Sequence, residues 1–431
     1  MKSDIKLLVK RSLRPLSTLG CALMLGALGS CSSDDNSGGN TSITVKPDFN
    51  VEFTYEDMLE CKGLENFSYN FMSDAVANDN LMDLSGENFA ISPLSCAIDM
   101  AMLAQSTDSL SARKLCNLLG VSNTESLGIA CNKLMTYLPA PENGVEFDVV
   151  NSVWYATRNA SYIPTEYIKK MNSTYFADVN SADLATDEGM RVINSWVNAK
   201  TKGLISDLNG LFVPSSSVDA LLLNALHFKG EWESKFDAKL TTDEVFHPSD
   251  GDKQVKMMHH NLRITCYCED DEKVVFQLDF KGERMQMTFV LPKEGVKLAD
   301  ACLEAEEWRA LMKNSLNYQY DLTLSMPRFS INSIVRMREL PILSSLANIS
   351  LDGMGLPNGS ISSIGQKIYI NIDEEGAKLA AVTGTGWETA PEEPEIKKVS
   401  AILDRPFLFY VNNFKTGAVI MAGRVLDPTK N

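Results

Sequence analysis

The stretch spanning residues 373–402 constrains the fold of this 431-residue chain more than any other. It follows a predicted strand at 368–372 and ends in polar sequence that contains Pro391 and Pro394. A connection of about 30 residues is unusual in a compact domain, where such connections are either functional or disordered. A fold that fits this chain must therefore give the connection a role.

The first half of that connection has an internal pattern. Its alternate residues carry no charge: Ala377, Leu379, Ala381, Thr383, Thr385 and Trp387. The intervening residues include Lys378 and Glu388, and no proline occurs before Pro391. A period of two is typical of a strand with one buried face. We interpret the segment as having two positions, one in a loop and one in a sheet; the alternative is a surface loop whose small residues alternate by chance.

Elsewhere the patterns indicate a single α+β domain over residues 51–431, with helices first and sheets after. No linker rich in Pro, Gly or Ser divides this part, and no internal repeat is present. The run at 95–103 has the density of a buried helix, and the apolar run at 220–228, broken by Asn224 and His227, predicts a strand covered on both faces. Further strands are predicted at 285–291, 368–372, 407–411 and 419–425.

An amphipathic helix is predicted near residue 190. Met190, Ile193 and Val197 recur at i, i+3 and i+7. Val192 and Trp196 widen the same stripe in this interpretation. A stripe of this width indicates a helix that packs one face on a core.

The N-terminus has the pattern of a signal peptide over residues 1–30. Five Lys and Arg residues precede an apolar stretch at 19–28, and small residues follow it. The apolar stretch is shorter than the roughly 20 residues that a membrane-spanning helix needs. We therefore expect this segment to be removed from the mature protein.

Leu28, Gly29, Ser30 and Cys31 resemble the lipobox of bacterial lipoproteins, in which the cysteine is lipidated. A polar Gly/Ser-containing tether at 31–50 follows, as expected for a flexible spacer. The resemblance implies an outer-membrane lipoprotein with no other membrane contact; an ordinary secretory signal is the alternative.

Asp34 and Asp35 resemble the acidic signal that exports some lipoproteins to the cell surface. Whether the protein faces the periplasm or the outside stays open.

The charge and cysteine content restrict the partners. The formal net charge is −16, and loss of a basic signal peptide makes the protein more acidic, so nucleic acid is not an expected partner. Seven cysteines follow Cys31, an odd number in a compartment that permits disulfides. Most are predicted to be buried thiols, including Cys96 and Cys116 in apolar helical patterns.

Enzymatic chemistry is not supported by the motifs. The chain has four histidines, and no Gly-x-Ser-x-Gly elbow, His-Glu-x-x-His helix or Gly-rich phosphate loop accompanies them. His259, His260, Cys266 and Cys268 would be the residues of a zinc site, but their spacing matches no familiar zinc module. Neither a metal nor another cofactor is predicted, and an enzyme remains only a competing hypothesis.

Seven motifs in order resemble those of the serpin family of serine protease inhibitors, and together they cover nearly all of the mature domain. They are NFAISPLS at 88–95, NSWV at 194–197 with Thr201, Gly203 and Ile205, NALHFKGEW at 224–232 with Phe236, Met257-Met258, MPRF at 326–329, DRPF at 404–407, and GRV at 423–425 with Pro428.

The resemblance implies a serpin fold of three β-sheets and about nine helices, with an exposed reactive loop at about 376–402. It also implies an inhibitory mechanism. A target serine protease, or alternatively a cysteine protease, cleaves the loop and is acylated. The cut loop then enters the central sheet as a new strand and distorts the enzyme. The expected state is a monomer.

Site residues follow from the same resemblance. They are the hinge residues Glu374, Glu375, Gly376, Ala377, Leu379 and Ala381, the polar shutter residues Ser92, Ser95 and Asn224, and Trp232 at the breach where insertion begins. Gln366 stands near the family's shutter histidine, so that hydrogen-bond network must differ. Ala377 replaces the usual Thr or Ser, and Leu379 is bulkier than the usual alanine.

The family's usual count of seventeen residues from Glu374 places the cleaved bond after Ala390, where Pro391 would occupy the leaving side. Most serine proteases accept proline poorly there, so Thr389–Ala390 is the predicted bond. Its small residues favour elastase-like or subtilisin-like targets, and cleavage after Trp387 is an alternative. A non-inhibitory serpin that acts as a binding protein is the competing function, although the small hinge residues disfavour it.

Overall fold

The computed structural model describes residues 47–48, 50–139, 145–201, 203, 205–208, 210–282, 284–315, 318–346, 349–360, 365–376 and 396–430. Several segments and residues with a predicted role therefore lie outside the described residues. They are the signal peptide, Cys31 and most of its tether, and the loop residues Ala377, Leu379, Ala381, Trp387, Thr389 and Ala390. The described residues belong to one compact unit, while the domain boundaries stay predictions.

Side-chain caps determine where the helices begin. Thr54 Oγ1 accepts a hydrogen bond from the Asp57 N–H (3.2 Å), and the Asp57 carboxylate accepts one from the Thr54 N–H (2.7 Å). Ser92 caps a helix whose first residue is Pro93. The helices in the described ranges are α1 (Tyr55–Ala77), α2 (Pro93–Ser106), α3 (Ser109–Leu118), α4 (Thr124–Tyr137), α5 (Thr165–Tyr175), α6 (Asp187–Lys200) and α7 (Ala305–Ser315).

Strands occur in both halves of the chain. They are β1 (Phe89–Ile91), β2 (Val145–Ala156), β3 (Asp178–Ala182), β4 (Ala220–Gly230), β5 (Thr242–Phe246), β6 (Lys253–Ile264), β7 (Tyr267–Glu269), β8 (Lys273–Asp279), β9 (Met285–Pro292), β10 (Gln319–Pro327), β11 (Phe329–Arg336), β12 (Ser350–Leu351), β13 (Leu356–Ser360), β14 (Gly365–Ile372), β15 (Ile396–Ile402), β16 (Phe407–Asn413) and β17 (Val419–Val425). The strands predicted in the second half are confirmed.

The described strands form five sheets. The largest has the order β1-β17-β16-β9-β8-β7, and a four-stranded sheet has the order β15-β10-β6-β5. A three-stranded sheet, β3-β2-β4, and two pairs, β11-β14 and β12-β13, complete the set. The α+β class is confirmed, with five sheets and seven α-helices in the described part where the resemblance implies three sheets and about nine helices.

Two apolar cores explain the burial of β4. Leu221 and Leu223 enter a smaller core with Ile193 of α6, whereas Leu226 and Phe228 enter the main core with α2 and the large sheet. Alternate side chains of a strand point to opposite faces, so β4 is covered on both sides, as predicted. The predicted buried helix at 95–103 is confirmed by α2.

The structure corrects two details. Val192 is 46% exposed, because a position two residues from Met190 lies about 200° around a helix and faces away from the stripe. The order of helices first and sheets after is also wrong, since β1, β2 and β3 lie among the helices. Within the described ranges, no helix combines the length and the apolar sequence that a membrane crossing needs.

Candidate functional site

β4 and β14 lie side by side, yet no ladder hydrogen bond joins them among the described residues. Near one end, Leu223 of β4 and Gly365 of β14 line the same enclosed void of about 10 Å³. Beyond the other end, Gly376 forms antiparallel bridges to both Glu231, just after β4, and Asp373, just after β14. We call this arrangement the divided sheet. Its two facing edges run parallel, and unpaired edges of this kind are templates for a further strand.

A tight turn, Asp373–Gly376, follows β14, and we call it the hinge turn. The Gly376 N–H donates to the Asp373 carbonyl and the Asp373 N–H donates to the Gly376 carbonyl, each at 3.2 Å. Gly376 has a φ of +96°, and a Cβ atom there would lie 2.4 Å from the Gly230 carbonyl oxygen. Only glycine fits, because both the conformation and the close approach exclude a side chain.

Trp232 fastens the hinge turn to the end of β4. Its backbone N–H donates to the Glu375 carbonyl and its indole Nε1–H donates to the Asp373 carbonyl, both at 3.1 Å. The indole is 1% exposed and stacks on Phe280 with ring centroids 4.7 Å apart. The predicted breach tryptophan therefore lies where the chain leaves β14.

Glu374 adds an ionic anchor to the same turn. Its carboxylate is buried and accepts hydrogen bonds from Arg328 Nε (2.9 Å), Arg328 Nη2 (2.5 Å) and the Thr241 hydroxyl. Burial alone would raise the pKa of Glu374, but the hydrogen bonds from Arg328 and Thr241 outweigh it and lower the pKa. The charged form therefore holds the turn against Arg328, which lies between β10 and β11, and against Thr241 just before β5.

Glu375 is held by a lysine that bridges two acids. Lys235 Nζ lies 2.6 Å from Glu375 and 3.2 Å from Glu231, and Lys281 lies 2.7 Å from Glu231. Burial acts to lower the pKa of Lys235, but the two carboxylates outweigh that effect and raise it. The hinge turn is thus attached through both of its glutamates.

Ser92, which caps α2, and Gln366 of β14 form a reciprocal hydrogen-bonded pair. The Ser92 N–H donates to Gln366 Oε1 and Gln366 Nε2 donates to the Ser92 carbonyl, both at 2.8 Å. The Ser92 hydroxyl donates to the Ile420 carbonyl (2.6 Å) and accepts from the Ser95 N–H (3.1 Å). Because an amide can donate and accept at once, Gln366 ties β14 to the start of α2 without any titrating group.

Asn224 belongs to a separate pair. Its Nδ2 donates to Asn151 Oδ1 across β4 and β2 (2.5 Å), and Asn151 Nδ2 donates to the Tyr175 carbonyl (2.8 Å). No hydrogen bond between described side chains joins this pair to Ser92 or Ser95. The predicted shutter residues therefore occupy two separate places, one at the start of α2 and one on β4.

Sequence reasoning missed several partners of the predicted site residues. They are Asn151 opposite Asn224, Thr241 on Glu374, and Lys235 on Glu375. Arg328 was visible within a family motif, but nothing in the sequence showed its pairing with Glu374. The paired residues are 46 to 140 positions apart in the sequence. Their pairing therefore depends on the fold and cannot be predicted from neighbouring residues.

The histidines and cysteines in the described ranges do not come together in one site. His259 lies 2.8 Å from Glu244 and 3.0 Å from Ser325, and His260 lies 2.9 Å from Ser234. Burial raises the pKa of the Cys266 thiol to about 12, so its reactive thiolate form is suppressed. Among the described residues, no three His, Cys, Asp or Glu side chains gather as metal ligands would. The seven cysteines after Cys31 are free thiols, and all but Cys268 are buried.

Comparisons with curated proteins find relatives that match most of the chain. Leukocyte elastase inhibitor of Homo sapiens is 27% identical over 361 residues, which cover 79% of this chain and 93% of the relative. An uncharacterised serpin-like protein of Thermococcus kodakarensis is 27% identical over 380 residues, with 85% of each chain covered.

Solved structures show the same fold. The thermophilic serpin tengpin in the native state matches with a TM-score of 0.73 at 23% identity, covering 90% of this chain and 99% of that one. Thyroxine-binding globulin in complex with thyroxine matches with a TM-score of 0.71 at 22% identity, covering 85% and 99%. The family model described as serpin (serine protease inhibitor) matches residues 62–428. The chain is therefore a member of the serpin family.

Proposed function

We propose that the protein inhibits serine proteases of the elastase-like or subtilisin-like class as a suicide substrate. The protease would attack Thr389–Ala390 and remain joined to the loop as an acyl-enzyme. The cut segment would then enter the divided sheet as a new strand. The observation that carries this proposal is that Gly376 is already antiparallel to residues just beyond both β4 and β14.

The pattern of the loop supports the same step. A chain that continues past Gly376 in the same direction would run between two edges that lack a partner in the described structure. Its neutral alternate residues, from Ala377 to Trp387, would then face the main core. Leukocyte elastase inhibitor, a relative over most of this chain, carries elastase in its name.

Incubation with elastase and denaturing electrophoresis tests the proposal. We expect a complex that resists SDS in the wild type and its loss in Ala381→Arg, because a charged side chain would have to be buried. Ala380→Arg makes the same change on the opposite face of the predicted strand and should retain the complex. Cleavage without a complex in the wild type would contradict inhibition and support a non-inhibitory binding serpin.

The same gels can locate the attacked bond. Mass spectrometry of the released C-terminal fragment should show Ala390 as its first residue. A fragment that begins at Glu388 would identify cleavage after Trp387 and a chymotrypsin-like target instead. A fragment that begins after Lys397 or Lys398 would contradict the assignment altogether.

We further propose that Cys31 is lipidated and anchors the protein to the outer membrane. The lipobox-like sequence and the polar tether at 31–50 support this. Cys31→Ser should release the protein from the membrane fraction and abolish labelling by a fatty acid. Protease digestion of intact cells would then distinguish a surface location from a periplasmic one.

A further inference from the structure

The exposed face of the four-stranded sheet has an ordered row of charges. The strand register places Arg263 of β6, Asp321 of β10 and Lys398 of β15 opposite one another across three neighbouring strands. The side chains alternate along β10, where Leu322 and Leu324 are buried. The charged row therefore lies on the solvent side of the sheet, and we call this side the outer face.

The outer face forms a shallow groove of about 560 Å³. Its polar lining side chains are Asn261, Arg263, Asp321, Thr323 and Lys398. Arg263 Nε pairs with Asp321 Oδ1 at 3.1 Å, and that single carboxylate is flanked by two cations. The row is thus cationic in a protein whose formal net charge is −16.

Lys398 differs from the lysine beside it. Lys397 Nζ lies 5.3 Å from the centre of the Tyr318 ring, so its charge already has a partner. No ion pair or side-chain hydrogen bond joins the exposed Lys398 to another residue of the described ranges. An exposed ammonium beside an arginine that keeps further N–H donors is arranged to receive a carboxylate from outside.

The short stretch of chain between the predicted bond and Lys398 keeps this groove near any protease that binds the loop. Lys398 is eight residues from Ala390, so the two lie at most about 28 Å apart even when the chain is fully extended. A standard protein interface buries about 800 Å² on each partner, which corresponds to a patch roughly 30 Å across. A protease bound to the proposed bond would therefore be held within about 28 Å of Lys398, and β15 is the described element nearest to that bond along the chain.

We infer that the outer face of the four-stranded sheet is a second contact surface for the target protease, and that it selects proteases with acidic side chains beside the leaving-group side of their cleft. The inference rests on the proposed function, because the loop brings the protease to the sheet. Its effect is on encounter rather than on trapping, since exposed charges act mainly on association rates.

A charge reversal at Lys398 tests the proposed contact surface on the outer face separately from inhibition. The probes are two elastase-like proteases, one acidic and one basic in net charge, each with its catalytic serine replaced by alanine. Association of the mature full-length protein is measured with both. Lys398→Glu should slow association of the acidic protease by about fivefold to tenfold at about 0.05 M salt, and the effect should fade at high salt. The basic protease should associate at an equal or higher rate.

Lys114→Glu is the matched control, because Lys114 is an exposed lysine on α3. It makes the same charge change and should alter association with either protease by less than about twofold. Equal effects of the two variants, or equal effects of Lys398→Glu on the two proteases, would overturn the inference. Unchanged thermal unfolding of both variants excludes misfolding as the cause.

Active proteases distinguish this inference from the proposed function. If the wild type forms no SDS-resistant complex but association still depends on Lys398, inhibition fails and the contact surface stands. If the complex forms and Lys398→Glu leaves association unchanged, inhibition stands and the contact surface fails.

Discussion

Gly376 has a φ of +96° and lies against the backbone of residues 230–232. Glycine reaches such a conformation without the steric cost that a Cβ atom imposes. The close approach adds a second constraint, because a Cβ atom would be 2.5 Å from the Trp232 nitrogen. Gly295 isolates the first constraint, because it has a φ of +83° but open space around its Cβ position.

Gly376→Ala should therefore destabilise the protein more than Gly295→Ala does. Strain at a positive φ alone costs about 1 kcal/mol, and the clash at residue 376 should raise the loss to about 2–3 kcal/mol. Urea unfolding of both variants measures the difference. Equal losses of unfolding free energy would mean that the contact with Trp232 can relax at no cost.

Glu374 makes the attachment of the hinge turn dependent on pH. Its pKa is lowered below the usual value of 4.5, since the hydrogen bonds from Arg328 and Thr241 outweigh burial. A group whose pKa is lowered by folding stabilises the folded state above its unfolded pKa, and that contribution is lost as the pH falls through the folded pKa. Gln366, as an amide, adds no such dependence near neutral pH.

Glu374→Gln should lower the free energy of unfolding at pH 7, because Arg328 loses its charged partner. The difference between the variant and the wild type should persist down to about pH 4.5 and shrink below it. Thermal or urea unfolding across pH 3 to 7 measures this difference. A loss that is the same size at pH 3 and pH 7 would show that the carboxylate acts only through its shape.

At the scale of strands and helices, the elements with a regular apolar pattern were predicted from the sequence, and the elements without one were not. β4 was predicted because both of its faces are buried and residues 220–228 are apolar apart from Asn224 and His227. β2 was missed because Asn151 and Ser152 interrupt its pattern, and these residues are buried at 1% exposure or less through contacts that only the fold supplies. The separation of β4 from β14 had no signal either, since strand pairing depends on residues distant in sequence. The hinge residues were named from the resemblance to the serpin family, and their role stays a prediction.

The predicted inserting strand has one poorly fitted residue, Leu379. In the proposed mechanism, insertion competes with hydrolysis of the acyl-enzyme, and each 1.4 kcal/mol or so on the insertion barrier shifts that competition about tenfold. Leu379→Ala should therefore lower the number of inhibitor molecules consumed per protease inactivated. Titration of elastase activity measures this ratio, and an unchanged or higher ratio would contradict the prediction.

Over the whole molecule, the divided sheet leaves two facing strand edges that an added strand would pair. β4 has 11 residues and β14 has 8, and each lacks a ladder partner on the facing side within the described residues. Burying an unpaired backbone group is costly, and a strand between two edges would satisfy both at once. In the proposed mechanism, the arrangement with the loop inserted would therefore be more stable than the native arrangement.

Cutting the loop should release that constraint and raise the thermal stability. A strand between β4 and β14 would form on the order of 10 ladder hydrogen bonds, each worth about 1 kcal/mol net, which predicts a rise in unfolding temperature of roughly 10 °C or more. Calorimetry before and after limited cleavage by elastase measures the change. Ala381→Arg, cut at the same bond, should show little of the rise because its strand cannot enter. If the cut wild type and the cut variant unfold at the same temperature, the divided sheet does not receive the loop.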